Sequence, residues 1–304
     1  MTLQLSFDNF ILSRKLADLS LKSISAYIQF IRPFLQFVGM ETELESITQA
    51  DINKYIGTVV DKPLSRSSKA TYIRHLKIFL KWCENEYTTQ YTAKSIKVPK
   101  SPKKEVRIYS EDEMVTIFES IDAESEWLKV RNQCIISLMY DSGLRQSEVC
   151  GITWKKLSLN SNCIIVCGKG DKERTVPLGE LSKSLLTKYD NLCPYKNNTV
   201  FTCRRGSPLT CNAVKLMISK ISNELSFDLS SHKLRHNFAT NYCINQYDQY
   251  GHVDIYKLMY LMGHEEIETT QRYLHFAYEV IASRDNISVL DKMSKVQEVC
   301  QCVK

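Results

Sequence analysis

Residues 94–107, KSIKVPKSPKKEVR, divide the chain. Pro99 and Pro102 deny regular hydrogen bonding, and five lysines keep the backbone in water. Whatever lies on either side must bury its own core. The segment is read as a basic linker between a domain at 1–93 and a larger one at 108–304. A chain of 304 residues suits two domains of ordinary size, roughly 100–200 residues each.

The first domain reads as all helix. Leu21, Ile24, Ile28, Ile31, Leu35 and Val38 recur at steps of three and four, which makes one apolar face. Pro33 is expected to kink or break that helix. Further helices are predicted at 49–60 and 65–85. On the last, Ile73, Leu76, Phe79, Leu80 and Cys83 gather on one side, while Arg66, Arg74, Lys77 and Lys81 fall within about an 80° arc on another. Such a helix can pack its apolar back on its own domain and lay the basic stripe along phosphates. A plain solvated lysine face has the same pattern.

Charge adds to the picture. Residues 1–107 hold 17 Lys+Arg against 10 Asp+Glu, while 108–304 hold 23 against 24. The basic excess therefore sits in the first third, and Lys100, Lys103 and Lys104 carry it into the linker, where they too can track a phosphate backbone. No apolar run approaches the ~18 residues of a membrane span. The start lacks the charged-then-apolar pattern of a secretory signal, so the cytoplasm is expected. The 11 cysteines are odd in number, irregularly spaced and without a C-x-x-C pair. They read as reduced thiols, not a zinc site.

The second domain mixes helix with a little strand. Ser110 and Glu113 predict a capping box. An apolar helix is expected over 126–141, closed by Ser142 and Gly143, with a shorter one from Arg145. Residues 162–167 and 174–178 read as a hairpin, and 199–202 as a third strand. Helices are predicted at 212–225, 232–245, 253–262 and 268–281. The fold class is an all-α domain followed by a mixed α+β domain, mostly helical with a small antiparallel sheet.

Chemistry concentrates in the second domain. Arg145 opens a helix with Glu148 one turn on, placed to fix its guanidinium. Lys169 sits at the hairpin tip. His232 and Arg235, at i and i+3, share a helix face; His236 is read as pointing elsewhere. His264 ends a helix, and Tyr273 follows nine residues later. Singly these read as an ion pair, a surface lysine and a packed tyrosine. Together they suit a phosphodiester: cations hold the phosphate, a proton donor serves the leaving oxygen, and tyrosine offers a nucleophile. No carboxylate cluster is present to place a catalytic metal.

The segments GLRQSE, GKGDKERTVPL, SHKLRHNFAT and LMGHEEIETTQRYLH, in this order and spacing, resemble the tyrosine recombinases, the integrase/Xer family of site-specific DNA recombinases. SLKSISAYIQFIRPFLQFV and SRSSKATYIRHLKIFLKWC resemble the family's core-binding helices. The resemblance implies a core-binding domain and a catalytic domain closing on DNA as a C-shaped clamp. It implies that Tyr273 forms a 3′-phosphotyrosyl link, that Arg145 and Arg235 clamp the phosphate, and that Lys169 protonates the leaving 5′ oxygen. His232 would assist proton transfer at the tyrosine, His264 would bond the phosphate, and Glu148 fills the supporting acidic position. Neither ATP nor metal is implied.

The implied partners are double-stranded DNA with inverted-repeat core sites and three further copies of the chain, with accessory DNA-binding proteins in some systems. A tail from about residue 276, with Val280, Ile281, Ile287, Val289 and Leu290, would dock on a neighbouring subunit or pack on its own domain. Three departures stand out. Ser231 replaces the family's common proline. About five extra residues precede the helix leading to His264 and are expected to lengthen a loop. No arm-binding domain is expected before the core-binding helices. Two alternatives share the fold or the chemistry: a regulator that no longer cuts, and a type IB topoisomerase.

Overall fold

The computed structural model describes residues 1–100, 107–168 and 172–284 and separates into two compact units, 1–104 and 105–304. The first contains four helices: α1 (Leu3–Leu16), α2 (Leu21–Val38), α3 (Gln49–Asp61) and α4 (Arg66–Glu86). Each begins at a hydroxyl residue that accepts a backbone N–H of the first turn: Thr2, Ser20, Thr48 and Ser65. Phe10, Ile31, Phe34, Leu35, Ile52, Leu76 and Phe79 are fully buried between them. Each such side chain contributes about 1.5–3 kcal/mol on leaving water.

Helix α2 is not broken at Pro33 but continues through it to Val38. Proline removes one intrahelical hydrogen bond, but Ile24, Ile31, Phe34 and Leu35 are buried on both sides of it and hold the helix to the core. Within the 94–107 segment, Ile96 is buried in this first core and Val98 packs against it.

The second unit contains α5 (Glu111–Glu119), α6 (Glu126–Asp141), α7 (Gln146–Gly151), β1 (Leu157–Ser158), β2 (Cys163–Cys167), β3 (Glu173–Pro177), α8 (Glu180–Leu192), α9 (Cys211–Glu224), α10 (Ser231–Tyr250), α11 (Ile255–Met262) and α12 (Ile267–Arg284). Helix α6 is its axis: Val130, Cys134, Ile135, Leu138 and Met139 are buried, and α8 and α10 pack on it. The sheet is antiparallel in the order β1-β2-β3, pairing Ile164 with Val176 and Val166 with Arg174. Its third strand is β1. Residues 199–202, predicted as that strand, form only isolated bridges at Thr199 and Thr202. Helix α8 had no counterpart in the sequence reading.

The extra residues before α11 do not lengthen a loop. They extend α10 to Tyr250, where Gly251 caps it at φ 72°. Tyr247 meets Tyr278 of α12 edge-on at 6.0 Å, and Asp248 pairs with Arg284 at 3.1 Å. Val280 packs against this unit's core and Ile281 is buried in it; Ile287, Val289 and Leu290 lie outside the described residues. Among the described residues no helix is long and apolar enough to cross a membrane. The nine described cysteines are free, and no described group of His, Cys, Asp or Glu could hold a metal ion.

Candidate active site

Glu148 is the hub of the second unit. Gly143, at φ +62°, turns the chain out of α6; a side chain there would collide with the Phe238 ring. The turn delivers Arg145 to the start of α7 and Glu148 to its first turn. Glu148 accepts the Arg145 backbone N–H at 2.8 Å through Oε2 and its Nη1 at 2.8 Å through Oε1. From β3, Arg174 donates Nη1 and Nη2 to the same two oxygens at 2.8 and 2.9 Å. Arg235 Nη1 lies 3.9 Å away. Burial of Glu148 would raise its pKa, but the hydrogen bonds and charge of Arg174, joined by those of Arg145, draw it down to about 2.

Backbone carbonyls take up further guanidinium donors. Arg145 Nη2 donates to Gly263 O at 2.8 Å, and Arg174 Nε to Leu261 O at 2.8 Å. Arg235, buried on α10, donates to the carbonyls of Gly143 and Met262. Burial and then repulsion from Arg145 lower its pKa to about 9, so it remains a cation at neutral pH. These bonds lock the α6–α7 turn, β3 and the end of α11 around one point. Gly263 fits there because a side chain would press on the Arg174 guanidinium at 2.9 Å.

His264 follows Gly263. Its Nδ1 lies 2.9 Å from Thr270 Oγ1, and its Nε2 lies 3.5 Å from Arg235 Nη2. Arginine only donates, so Nε2 accepts and Nδ1–H points to Thr270. The Tyr273 ring stacks on His264 with centroids 6.2 Å apart and planes 13° apart. Tyr273 is 1% exposed. Its Oη lies 2.7 Å from His236 Nδ1 and accepts Arg272 Nη2 at 3.2 Å. This corrects the reading of His236 as turned away. His232, by contrast, is exposed and stacks on His236 with centroids 6.3 Å apart.

A cleft of about 1030 Å³ opens beside the hub, lined by Arg145, Glu148, Gly168, Lys172, Arg174 and His264. Lys169 lies outside the described residues; Gly168 N–H donates to Lys172 O at 2.8 Å at the base of its loop. The sequence reading also missed Arg174. The signal was present: an arginine at an inward position of a strand whose burial alternates.

On the first unit, Arg66, Arg74, Lys81 and Lys100 are exposed. Lys103 and Lys104 lie outside the described residues. Lys77 is half-buried and donates to Ile96 O at 2.7 Å, so its ammonium holds the residues after α4 in place. Lys81 pairs with Glu84 at 3.0 Å.

Burial is the main cause that lowers the pKa of both His236 and His264 to about 4, with Arg272 next for His236 and Arg235 next for His264. Both are neutral at pH 7. Below 6.5 the unfolded chain takes up these protons before the folded one does. The stability they support is complete above pH 6.5 and is lost as the pH falls toward 4. Lowering the pH from 7.5 to 4.5 should reduce the melting temperature by about 10 °C. A melting temperature that holds or rises in a calorimetric series would contradict this assignment.

The family described as phage integrase matches residues 107–279, and the phage integrase N-terminal SAM-like domain matches 7–89. Tyrosine recombinase XerC of Pediococcus pentosaceus is 28% identical over 272 residues, covering 85% of this chain and 88% of that protein. The XerC of Listeria welshimeri is 28% identical over 300 residues, covering 92% and 95%. Two solved structures share the fold. The Tn1549 transposon integrase in complex with a circular intermediate DNA matches with TM-score 0.73 and 18% identity, over 90% of this chain and 95% of that one. The XerH site-specific recombinase bound to a palindromic difH substrate matches with TM-score 0.70 and 24% identity, over 90% and 82%. With more than half of its length in one family match, the chain belongs to the phage integrase family, the tyrosine recombinases, which break and rejoin DNA.

Proposed function

We propose that this chain recombines double-stranded DNA at inverted-repeat core sites through a 3′-phosphotyrosyl link on Tyr273. The observation that carries the reading is the gathering of Arg145 and Arg235 at Glu148, with His264 beside Arg235 and Tyr273 stacked on His264. Two guanidinium forks match the non-bridging oxygens of a phosphate. Each donor held ready for the transition-state charge is worth roughly 2.7–4 kcal/mol. His264 offers a further contact, Lys169 serves as proton donor to the leaving 5′ oxygen, and His232 assists at the tyrosine. Because Tyr273 is buried, attack requires the phosphate and the phenol to be brought within bonding distance.

A 5′-hydroxyl from a partner strand reverses the step, so bond energy is conserved in the phosphotyrosine without ATP. A homotetramer on two duplexes, formed from monomers or weak dimers and helped in some systems by accessory proteins, would exchange the strands. The reading covers integration or excision of a mobile element, cointegrate resolution and chromosome-dimer resolution alike.

To test it, duplexes that the protein selects from a random pool are resynthesised with a nick near the centre of the site. They are then incubated with the protein and run on a denaturing gel. A covalent band whose peptide maps to Tyr273 is the expected result. Tight, specific binding without any such band would overturn the reading.

Arg66, Arg74, Lys81, Lys100, Lys103 and Lys104 are proposed to meet the DNA backbone; Lys77, already bonded to Ile96 O, leaves that set. Arg74→Ala should weaken binding to all sequences and reduce the slope of log K against log salt by about 0.9. Lys77→Ala should leave the slope unchanged. Equal slopes for wild type and Arg74→Ala in a salt titration would remove Arg74 from the interface.

A further inference from the structure

The phenol of Tyr273 has two polar neighbours among the described residues, Arg272 and His236. A guanidinium can only donate, so Arg272 Nη2 occupies a lone pair of Oη. With the His236 hydrogen on Nε2, Nδ1 accepts the phenolic O–H at 2.7 Å. That distance lies within the reach required of a general base. His236 is kept neutral by burial and by the charges of Arg272, His232 and Arg235, so Nδ1 can accept. His232, to which the family resemblance gives proton transfer at the tyrosine, sits one turn earlier on α10, is exposed, and stacks on His236.

We propose that His236 is the base that takes the proton from Tyr273 as the phenol attacks DNA, a proposal that rests on the recombinase reading above. In the step, the Oη–P bond forms and the P–O5′ bond breaks. The phenolic proton passes to His236 Nδ1, giving an imidazolium. The 5′ oxygen leaves with the bonding pair and takes its proton from the separate donor, Lys169. On rejoining, the imidazolium returns its proton to the departing phenolate. A DNA phosphate seated between Arg145 and Arg235 brings a negative charge that offsets the cations around the imidazole. His236 then becomes more basic when substrate is in place.

The test uses the full chain and a selected, nicked duplex in two forms: one with the natural phosphate, the other with sulfur in place of the bridging 5′ oxygen. A 5′-thiolate leaves without a proton, so this substitution relieves the loss of an acid and does not relieve the loss of a base. His236→Ala and His236→Gln should slow formation of the covalent adduct about 100-fold on both duplexes. Lys169→Ala should be slow on the oxygen duplex only. Added imidazole should restore part of the rate to His236→Ala.

Gln keeps an acceptor atom and much of the volume, so it carries the test if the Ala variant fails to fold. Wild-type rates in His236→Gln would overturn the proposal, as would a defect that disappears on the sulfur duplex. An absence of Tyr273-linked adduct in the wild-type protein would instead overturn the recombinase reading itself.

Discussion

Tyr273→Phe should fold, bind DNA and form no covalent link. The ring keeps its stack on His264 and its place in the core. What disappears is the hydroxyl, and with it the hydrogen bond to His236, worth about 0.5–1.5 kcal/mol. Removing a nucleophile from an otherwise intact site costs roughly 10⁶-fold in rate, which places the adduct below detection on a denaturing gel. Binding to a selected duplex should be within about twofold of wild type, since the arginines remain; this difference is under 0.5 kcal/mol. An adduct at wild-type level would move the nucleophile to another hydroxyl; exposed Tyr256 and Tyr260 at the cleft would be examined first.

Glu148→Ala should be the most damaging single change to stability. The Glu148 side chain is 3% exposed and contacts Arg145 and Arg174 at 2.8 Å. Arg174 is buried beside it. Removing one member of a buried pair leaves an uncompensated charge, at a cost of about 3–5 kcal/mol. The melting temperature should fall by about 10 °C. Glu148→Gln preserves shape and some hydrogen bonds but not charge, so it should fall between the two. Melting of the Ala variant within about 2 °C of wild type at pH 7 would show that Glu148 is not the hub.

The parts of this fold legible in the sequence are those whose signal is local. Helices α2, α3 and α4 repeat their apolar residues on a helical period, and Ser110 with Glu113 marks the start of α5 by capping chemistry alone. Helix α8 escaped because its inward face includes Ser182 while Leu181 is 61% exposed, which blurs the period. The end of α10 escaped for a different reason. Its residues Gln246–Tyr250 are polar, and the contacts that hold them, Tyr278 and Arg284, come from another helix. Lys77 looked like part of a free stripe because the sequence does not show residues 93–98 folding back beneath it.

Within the site, Arg145 with Glu148 was legible because the pair is local, three residues apart. Arg174 reaches the same carboxylate from 26 residues away, and distance along the chain hides such a contact. His236 needed only simple geometry. It lies four residues after His232 and so shares its side of the helix, the side that faces Tyr273.

Three guanidinium groups surround a single carboxylate at 2.8, 2.8 and 3.9 Å. That small cluster holds two more positive charges than it neutralises, in surroundings that screen repulsion poorly. In the terms of folding landscapes, it is a patch of local frustration kept in the native state. Its relief requires an anion from outside. A DNA phosphate would then act as a missing piece of the protein's own interior, completing the fold in the same event that begins the reaction. The free energy released would be the same for any base sequence, so the discrimination between sites must be made elsewhere in the chain.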